Sequence, residues 1–425
     1  MTNTLIYILP DSPITALLDR KYTPYRFYIG SVILLAKRSG CNRVFVVSHN
    51  VKKEHLPIQA QVNREDLSND KLFEINESVK FARSEGVDLQ FHHSDEGCCA
   101  GPDDIVLFGI LNNKVTKVVH DTLSRNKVFI ETAKGYFYLN SDCELTNTAY
   151  CATVNPKSEF MYLLRERLVD QVFQDKLLGI INTESPYDTY QKELKEQFNC
   201  PVMFLPMVLL PFQCNTAPMI IEDVPKSKGI RFLRGFERWT SFTRMLEFIR
   251  TLTTSGTLEV DWYESSLPAA RAKHKPIMDK YGITYKSAQQ WTYHKNLENL
   301  SQYKFISGLS LPTNHRMTYK IAESCLANRM CILPTISTEG MTTDHAMAYG
   351  NSKGLFLVHN DIQTTTDLGR EMSMIEAIHK ATRLSDSDYI HHVNQQKLFM
   401  KNYHSYFAKA NEVAVDRILE VIKSC

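Results

Sequence analysis

Short apolar runs alternate with polar or helical-period stretches along the whole chain, and the first run, Leu5 to Pro10, stops at Pro-Asp-Ser-Pro. A run that short, ended by turn residues, reads as a buried strand delivering a loop. Tyr28 to Arg38 then carries apolar positions at helical spacing, Ser39-Gly40 closes it, and Arg43 to Ser48 reads as the next strand. The chain therefore starts β-loop-α-β. Further strands are predicted at Leu89 to His92, Ile105 to Phe108, Lys127 to Glu131, Tyr136 to Leu139, Leu178 to Asn182 and Val202 to Leu205, with helices at Phe160 to Gln174 and Tyr187 to Gln197.

Pro206, Pro211, Pro218 and Pro225 follow among polar turns, the composition of an interdomain linker. Beyond them the alternation restarts. Strands are predicted at Ile230 to Leu233, Leu258 to Tyr263, Phe305 to Gly308, Met330 to Leu333 and Leu355 to His359, and helices at Thr243 to Thr251, Asn296 to Leu300 and Met317 to Ala327. The pattern predicts an α/β fold of two Rossmann-like domains facing across a cleft: residues 1–205, a linker over 206–228, and residues 229–385. Helices over 386–425, polar on one face, are expected to pack back across the junction.

Composition narrows the class. The chain has 425 residues, 43% hydrophobic and 23% charged, which excludes a disordered tail, a collagen and a coiled coil. Forty-nine Lys and Arg against 47 Asp and Glu give a net charge of +2, so a polyanionic partner would need a local basic patch. Ten cysteines without CxxC pairs, in a chain too long to need staples, point to a reducing cytosol. The first residues lack a basic segment ahead of an apolar one, and no uncharged apolar stretch reaches about 18 residues. A protein that is neither secreted nor membrane-spanning is the expectation, and no protein partner is evident.

Two segments carry candidate chemistry. In Lys228 to Phe248 a strand runs into a turn holding Arg234, Gly235 and Arg238, and then into a helix. Backbone N–H groups at a helix start, a glycine permitting close approach and a nearby cation suit a diphosphate. A basic, solvated strand end fits the same residues equally well. In Met317 to Pro334, Lys320 and Glu323 are three apart and so share a helix face. The lysine can meet phosphate while the glutamate accepts both hydroxyls of a ribose, although a surface ion pair is the commoner reading of that spacing. His92, His93, Asp95, Cys98 and Cys99 lack the ligand gaps of a zinc site and read as a polar loop. GxSxG, Walker A, HExxH and GxGxxG patterns are absent, so hydrolase, P-loop, zincin and nicotinamide readings lose their cheapest support.

The tandem layout together with KIAESCLANRMCILP resembles the nucleotide-sugar half of GT-B glycosyltransferases, and is most similar to phage enzymes that glucosylate hydroxymethylcytosine in DNA. That resemblance implies that Glu323 holds the donor ribose and that Lys320 stands where an arginine is usual, a point charge in place of a bidentate fork. It also implies that Arg238, and less closely Arg234 with Gly235, bind the donor diphosphate, and that Trp291 in WTYHKNLENLSQYKF lies where the backbone meets the uracil. GYFYLNSDCELTNT looks like the strand and loop delivering the catalytic aspartate, which makes Asp142 the candidate base. Glu144 competes with it, and a turn-forming role for Asp142 is the plain alternative.

The implied activity is transfer of a hexose or pentose from a UDP-sugar to a 5-hydroxymethylated pyrimidine in double-stranded phage DNA, in the host cytoplasm, protecting that DNA from host nucleases. The target base would leave the stack to reach the cleft. Lys114, Lys117, Arg125 and Lys127 form a candidate acceptor patch, or equally a solvated helix face. Mg²⁺ or Mn²⁺ could assist departure of UDP, though no carboxylate pair shows ligand spacing. The first loop, DSPITALLDRKYTPYRF, departs from the family by lacking its Gly-rich turn. A GT-B transferase acting on a polysaccharide or small acceptor is the alternative, and a non-catalytic nucleotide-sugar or DNA-binding protein is the rival from another class.

Overall fold

The computed structural model describes residues 4–11, 25–50, 69–93, 104–108, 128–131, 177–182, 201–205, 208–214, 220–233, 243–263, 268–286, 292–308, 316–332 and 367–424. The chain divides into two compact units, residues 1–210 with 407–425, and residues 211–406.

In the first unit, strands β1 (Thr4–Asp11), β2 (Arg43–Asn50), β3 (Asp88–His93), β4 (Ile105–Phe108), β5 (Val128–Glu131), β6 (Leu177–Asn182) and β7 (Val202–Phe204) form one sheet in the order β3-β2-β1-β4-β5-β6-β7. Every pairing is parallel. Helices α1 (Tyr25–Arg38) and α2 (Asn69–Ser84) bury their apolar stripes, Ile29, Val32, Ile33 and Ala36 on the first, Leu72 and Ile75 on the second. Central strand residues such as Leu5, Tyr7, Val44 and Val46 are wholly enclosed, as both-sided burial of a parallel sheet requires.

Residues 208–210 are tightly packed in this unit. Val208, Leu209 and Leu210 are buried, and the Val208 N–H donates to Ser31 Oγ at 3.0 Å. Gly30 permits this approach: a Cβ there would sit 2.6 Å from the Val208 carbonyl oxygen. Within the segment 206–228, Val208, Leu209 and Leu210 are core residues of the first unit.

The second unit opens with α3 (Pro211–Cys214) and holds strands β8 (Gly229–Leu233), β9 (Glu259–Tyr263), β10 (Thr284–Lys286), β11 (Phe305–Gly308) and β12 (Met330–Ile332), in the order β10-β9-β8-β11-β12, again all parallel. Between and after them lie α4 (Thr243–Thr254), α5 (Pro268–Lys280), α6 (Tyr293–Leu300), α7 (Arg316–Leu326), α8 (Asp367–Ala381) and α9 (Asp386–Ser424). One face of the sheet packs Ile230, Phe232, Val260 and Trp262 against α4, α8 and the first turns of α9, with Phe232 and Trp262 stacked at 4.4 Å. Ile306 joins Leu297, Leu300 and Ala327 in a smaller cluster built with α6 and α7.

Five helices end in the same way. Gly40, Gly86, Gly256 and Gly282 take positive φ just after α1, α2, α4 and α5, and Asn328 does so after α7 with φ 57°. Each lets the next residue's N–H bond back to a carbonyl of the last turn, for example Cys41 to Ala36 at 2.9 Å and Arg329 to Ser324 at 2.9 Å. The helix is stopped and the following strand launched.

Helix α9 satisfies sheet and segment edges with side-chain amides. Gln396 accepts from the Cys331 N–H at 3.1 Å and donates to the Cys331 carbonyl at 3.3 Å, and Asn394 does the same for Ile221 at 2.8 and 3.1 Å. Tyr389 donates to the Lys304 carbonyl at 2.8 Å, and the wholly buried Lys397 donates to Asn328 Oδ1. Its residues 407–425 belong to the first unit, where Val415 and Ile418 are buried and Arg38 pairs with Asp416 at 3.6 Å.

The predicted strands at Tyr136 to Leu139 and Leu355 to His359, and the helices at Phe160 to Gln174 and Tyr187 to Gln197, lie outside the described residues. Helices α2, α3, α5 and α8 and strand β10 were not anticipated. Pro276 interrupts the pattern of α5, and β10 has only three residues at the sheet edge. No helix among the described residues is long and apolar enough to cross a membrane.

Two outcomes follow for stability. Gly30→Ala is expected to destabilise by about 1–3 kcal/mol, the range for overpacking, read as a fall in the urea midpoint. His392 has a buried Nδ1 without a hydrogen-bond partner among the described residues, and burial first, then His391 and Lys380, hold its pKa below 6.5. The unfolded chain then binds more protons than the folded one as pH falls below 6.5, so stability falls with pH in that range. Thermal melts between neutral and mildly acid pH should show a smaller acid loss in His392→Gln than in the parent chain.

Candidate functional site

Strand order reverses between β8 and β11 in the second sheet, and between β1 and β4 in the first. At such a point the connections leaving neighbouring strands diverge to opposite faces, opening a crevice at the carboxyl ends where ligands bind. In the second unit Leu233 and Gly308, the last residues of β8 and β11, are paired side by side. The segment holding Arg234, Gly235 and Arg238 leaves one of them, and the connection to α7, with Lys320 and Glu323, leaves the other. Two stretches about 80 residues apart in sequence thus depart from adjacent points of one sheet edge.

Helix α7 is held by its buried face. Ile321, Ala322, Ser324 and Cys325 are enclosed, and Glu323 between them is half-buried. Glu323 Oε1 accepts from Asn296 Nδ2 of α6 at 3.0 Å. That places an acidic side chain with an assigned orientation beyond the switch point, on the helix that follows β11. Lys320 lies one turn before it on α7.

Helix α6 is anchored at its start. Tyr293 is buried, donates from its hydroxyl to the Phe212 carbonyl at 2.9 Å and meets the Phe212 ring edge-on at 5.2 Å. Thr292 takes the N-cap position with φ −60° and ψ 166°, yet its hydroxyl makes no capping bond. Its Oγ1 is buried without a hydrogen-bond partner among the described residues, in a position where threonine ordinarily caps.

The start of α4 is already engaged. Glu371, a buried carboxylate of α8, accepts from the Met245 N–H at 2.7 Å. Met245 is in the first turn of α4, so a fixed acidic group occupies part of the N–H array that a phosphate would use.

Buried cysteines offer no nucleophile here. Cys41, Cys214, Cys325 and Cys331 are free and buried. Burial pushes the thiols of Cys41 and Cys214 up to about 11 and that of Cys325 well above the ordinary thiol range. No group of three or more His, Cys, Asp or Glu side chains gathers as a metal site among the described residues. His92 belongs to β3, with its ring 4.6 Å from Phe45 and its Nε2 3.1 Å from Gln90 Oε1.

Of the sequence-predicted site residues, Glu323 is described with its side chain and Lys320 by its backbone. Arg234, Gly235, Arg238, Trp291, Asp142 and its competitor Glu144 lie outside the described residues, as do Lys114, Lys117, Arg125 and Lys127. Sequence reasoning missed Asn296 and Glu371. Each acts across a tertiary contact, 27 and 126 residues from its partner, where no local spacing could signal it.

No family model and no curated protein matches the sequence. Solved structures do match. HepE of Anabaena in complex with UDP and glucose superposes with a TM-score of 0.51 at 7% identity, covering 100% of both chains. The same Anabaena protein with UDP-glucose gives 0.50 at 8% identity, over 99% of this chain and 100% of that one. A mutant O-GlcNAc transferase of Thermobaculum terrenum gives 0.50 at 10% identity, over 100% of this chain and 69% of the other. With the two all-parallel, doubly wound sheets, these likenesses establish that the chain has the GT-B fold, two Rossmann-like units in tandem.

Proposed function

We propose that the protein is a glycosyltransferase that takes its sugar from a UDP-sugar, with the nucleotide held by the second unit at the β8/β11 switch point. The observation that carries the reading is Glu323: a half-buried carboxylate, oriented by Asn296, on the helix that follows the switch-point strand β11. A carboxylate has acceptor capacity for two vicinal hydroxyls and so suits a ribose. The HepE structures, which share this architecture, were solved with UDP and glucose and with UDP-glucose, and that supports the choice of donor.

In this proposal Lys320 and the cations Arg234 and Arg238 stabilise the negative charge that develops on departing UDP. Gly235 lets the turn approach the diphosphate, and the backbone beside Trp291 meets the base. Because Glu371 already holds the Met245 N–H, the turn after β8 contributes its side chains and its own amides, while phosphate charge is met mainly by cations. Asp142 acts as general base, removing the proton from the acceptor hydroxyl as it attacks the anomeric carbon.

The acceptor proposed is a 5-hydroxymethylated pyrimidine in double-stranded DNA, and its support is the resemblance of the segments around Asp142 and Glu323 to the phage DNA glucosyltransferases. The test is mass spectrometry of nucleosides from hydroxymethylcytosine DNA incubated with the protein and a panel of UDP-sugars, with unmodified DNA as control. A hexose or pentose increment on the modified base alone is the expected result. UDP release from one donor without that increment would keep the transferase and move the acceptor to a polysaccharide or small molecule.

Two variants separate the roles. Glu323→Gln is expected to weaken UDP binding by roughly ten- to a hundredfold, as loss of charge-assisted hydrogen bonds does, measured by calorimetry. Asp142→Asn should lower turnover by about a hundredfold or more with UDP affinity unchanged, the pattern of a lost general base. A binding protein without catalysis would show no turnover to lose.

A further inference from the structure

We infer that Asn296 is a positioning residue for the donor, setting the carboxylate of Glu323 so that ribose recognition is coupled to the helix that begins beside the base. The inference rests on the nucleotide reading above and extends it to a residue that no local motif indicates. Asn296 Nδ2 donates to Glu323 Oε1 at 3.0 Å, between α6 and α7. A glutamate side chain has three rotatable torsions, so a fixed donor on one oxygen determines the plane in which the carboxylate is presented. Each carboxylate oxygen has two acceptor sites, so one oxygen can be shared by an amide and a hydroxyl.

The hydrogen bond is not what holds these helices together. Leu297 and Leu300 of α6 pack with Ala327, just beyond α7, and with Ile306 of β11 in an apolar cluster that is independent of the amide. Tyr293 pins the start of α6 to the Phe212 carbonyl. Asn296 sits one turn after Thr292, whose buried hydroxyl lacks a partner among the described residues and which directly follows Trp291. One short helix thus carries both the residues next to the proposed base position and the amide that orients the proposed ribose acceptor.

The experiment measures the affinity of UDP and of 2′,3′-dideoxy-UDP for the full chain and for Asn296→Ala, Asn296→Gln, Glu323→Gln and the double variant Asn296→Ala with Glu323→Gln, alongside melting temperatures. Asn296→Ala is expected to weaken UDP by about five- to twentyfold, the effect of one hydrogen bond to a charged group, with the dideoxy analogue unchanged. Asn296→Gln, which keeps an amide donor, should recover part of the loss. The double variant should bind UDP no more weakly than Glu323→Gln alone, since Asn296 acts through Glu323. Equal weakening of both nucleotides by Asn296→Ala, or additive losses in the double variant, would overturn the positioning role while leaving the donor reading intact. Equal affinity of the parent chain for UDP and its dideoxy analogue, with Glu323→Gln indistinguishable from it, would overturn the ribose reading and this inference with it.

Discussion

Pairing of β8 with β11 is the constraint on which the candidate site depends. These strands are far apart in sequence, and their parallel register ends with Leu233 beside Gly308. Strand order reverses there, the arrangement at which open α/β sheets bind ligands beyond the carboxyl ends of the strands. Glu323 on α7, the residue that carries the proposed donor site, inherits its position from that register. A slip of one residue would exchange the faces of Ile230 and Phe232 with that of Arg231, driving a charged side chain into the apolar layer. Burial of Phe232 on Trp262 therefore protects the site's geometry as well as the fold.

Helix α9 answers a second physical requirement. The edge strand β12 leaves backbone groups that a sheet interior would pair, and an unpaired buried N–H or carbonyl is costly. Gln396 supplies both partners to Cys331 in the manner of a neighbouring strand, and Tyr389 accepts from the Met330 N–H at 3.4 Å. Lys397 extends the same logic to the end of α7. Its ammonium meets the side chain of Asn328, which holds the left-handed turn, close to a helix C-terminus whose dipole favours a cation. Burial lowers the lysine's pKa, an effect that the nearby Cys325 thiol partly opposes. The helix that closes the second unit also fixes the strand and turn following the donor helix.

The chemistry proposed for the second unit is carboxylate and cation chemistry. The described thiols are buried, burial raises the pKa of Cys214 and Cys325 in this unit, and Glu371 is committed to the start of α4. Glu323 differs from Glu371 in being half-buried and in accepting from a side-chain amide, where Glu371 is buried and accepts from a backbone N–H.

The alternation of short apolar runs with helical periods was enough to read β1 to β4, β8, β9, β11 and α7 nearly to the residue, because strands buried on both faces and helices with one apolar stripe leave strong local periodicity. Glu323 and its spacing from Lys320 were legible for the same reason, both lying on one helix. Helix α5 was not, since Pro276 breaks its pattern and the burial it achieves comes from Met278 and Ile277 against a distant core. Nor were Asn296 and Glu371, whose partners lie on other elements of the second unit. Local spacing determined which elements form and which residue types stand near strand ends. Only the tertiary structure decided which strand ends are neighbours, which carboxylate caps a helix and which meets a side-chain amide, because strand order and side-chain partners are set by packing between segments that no local pattern relates.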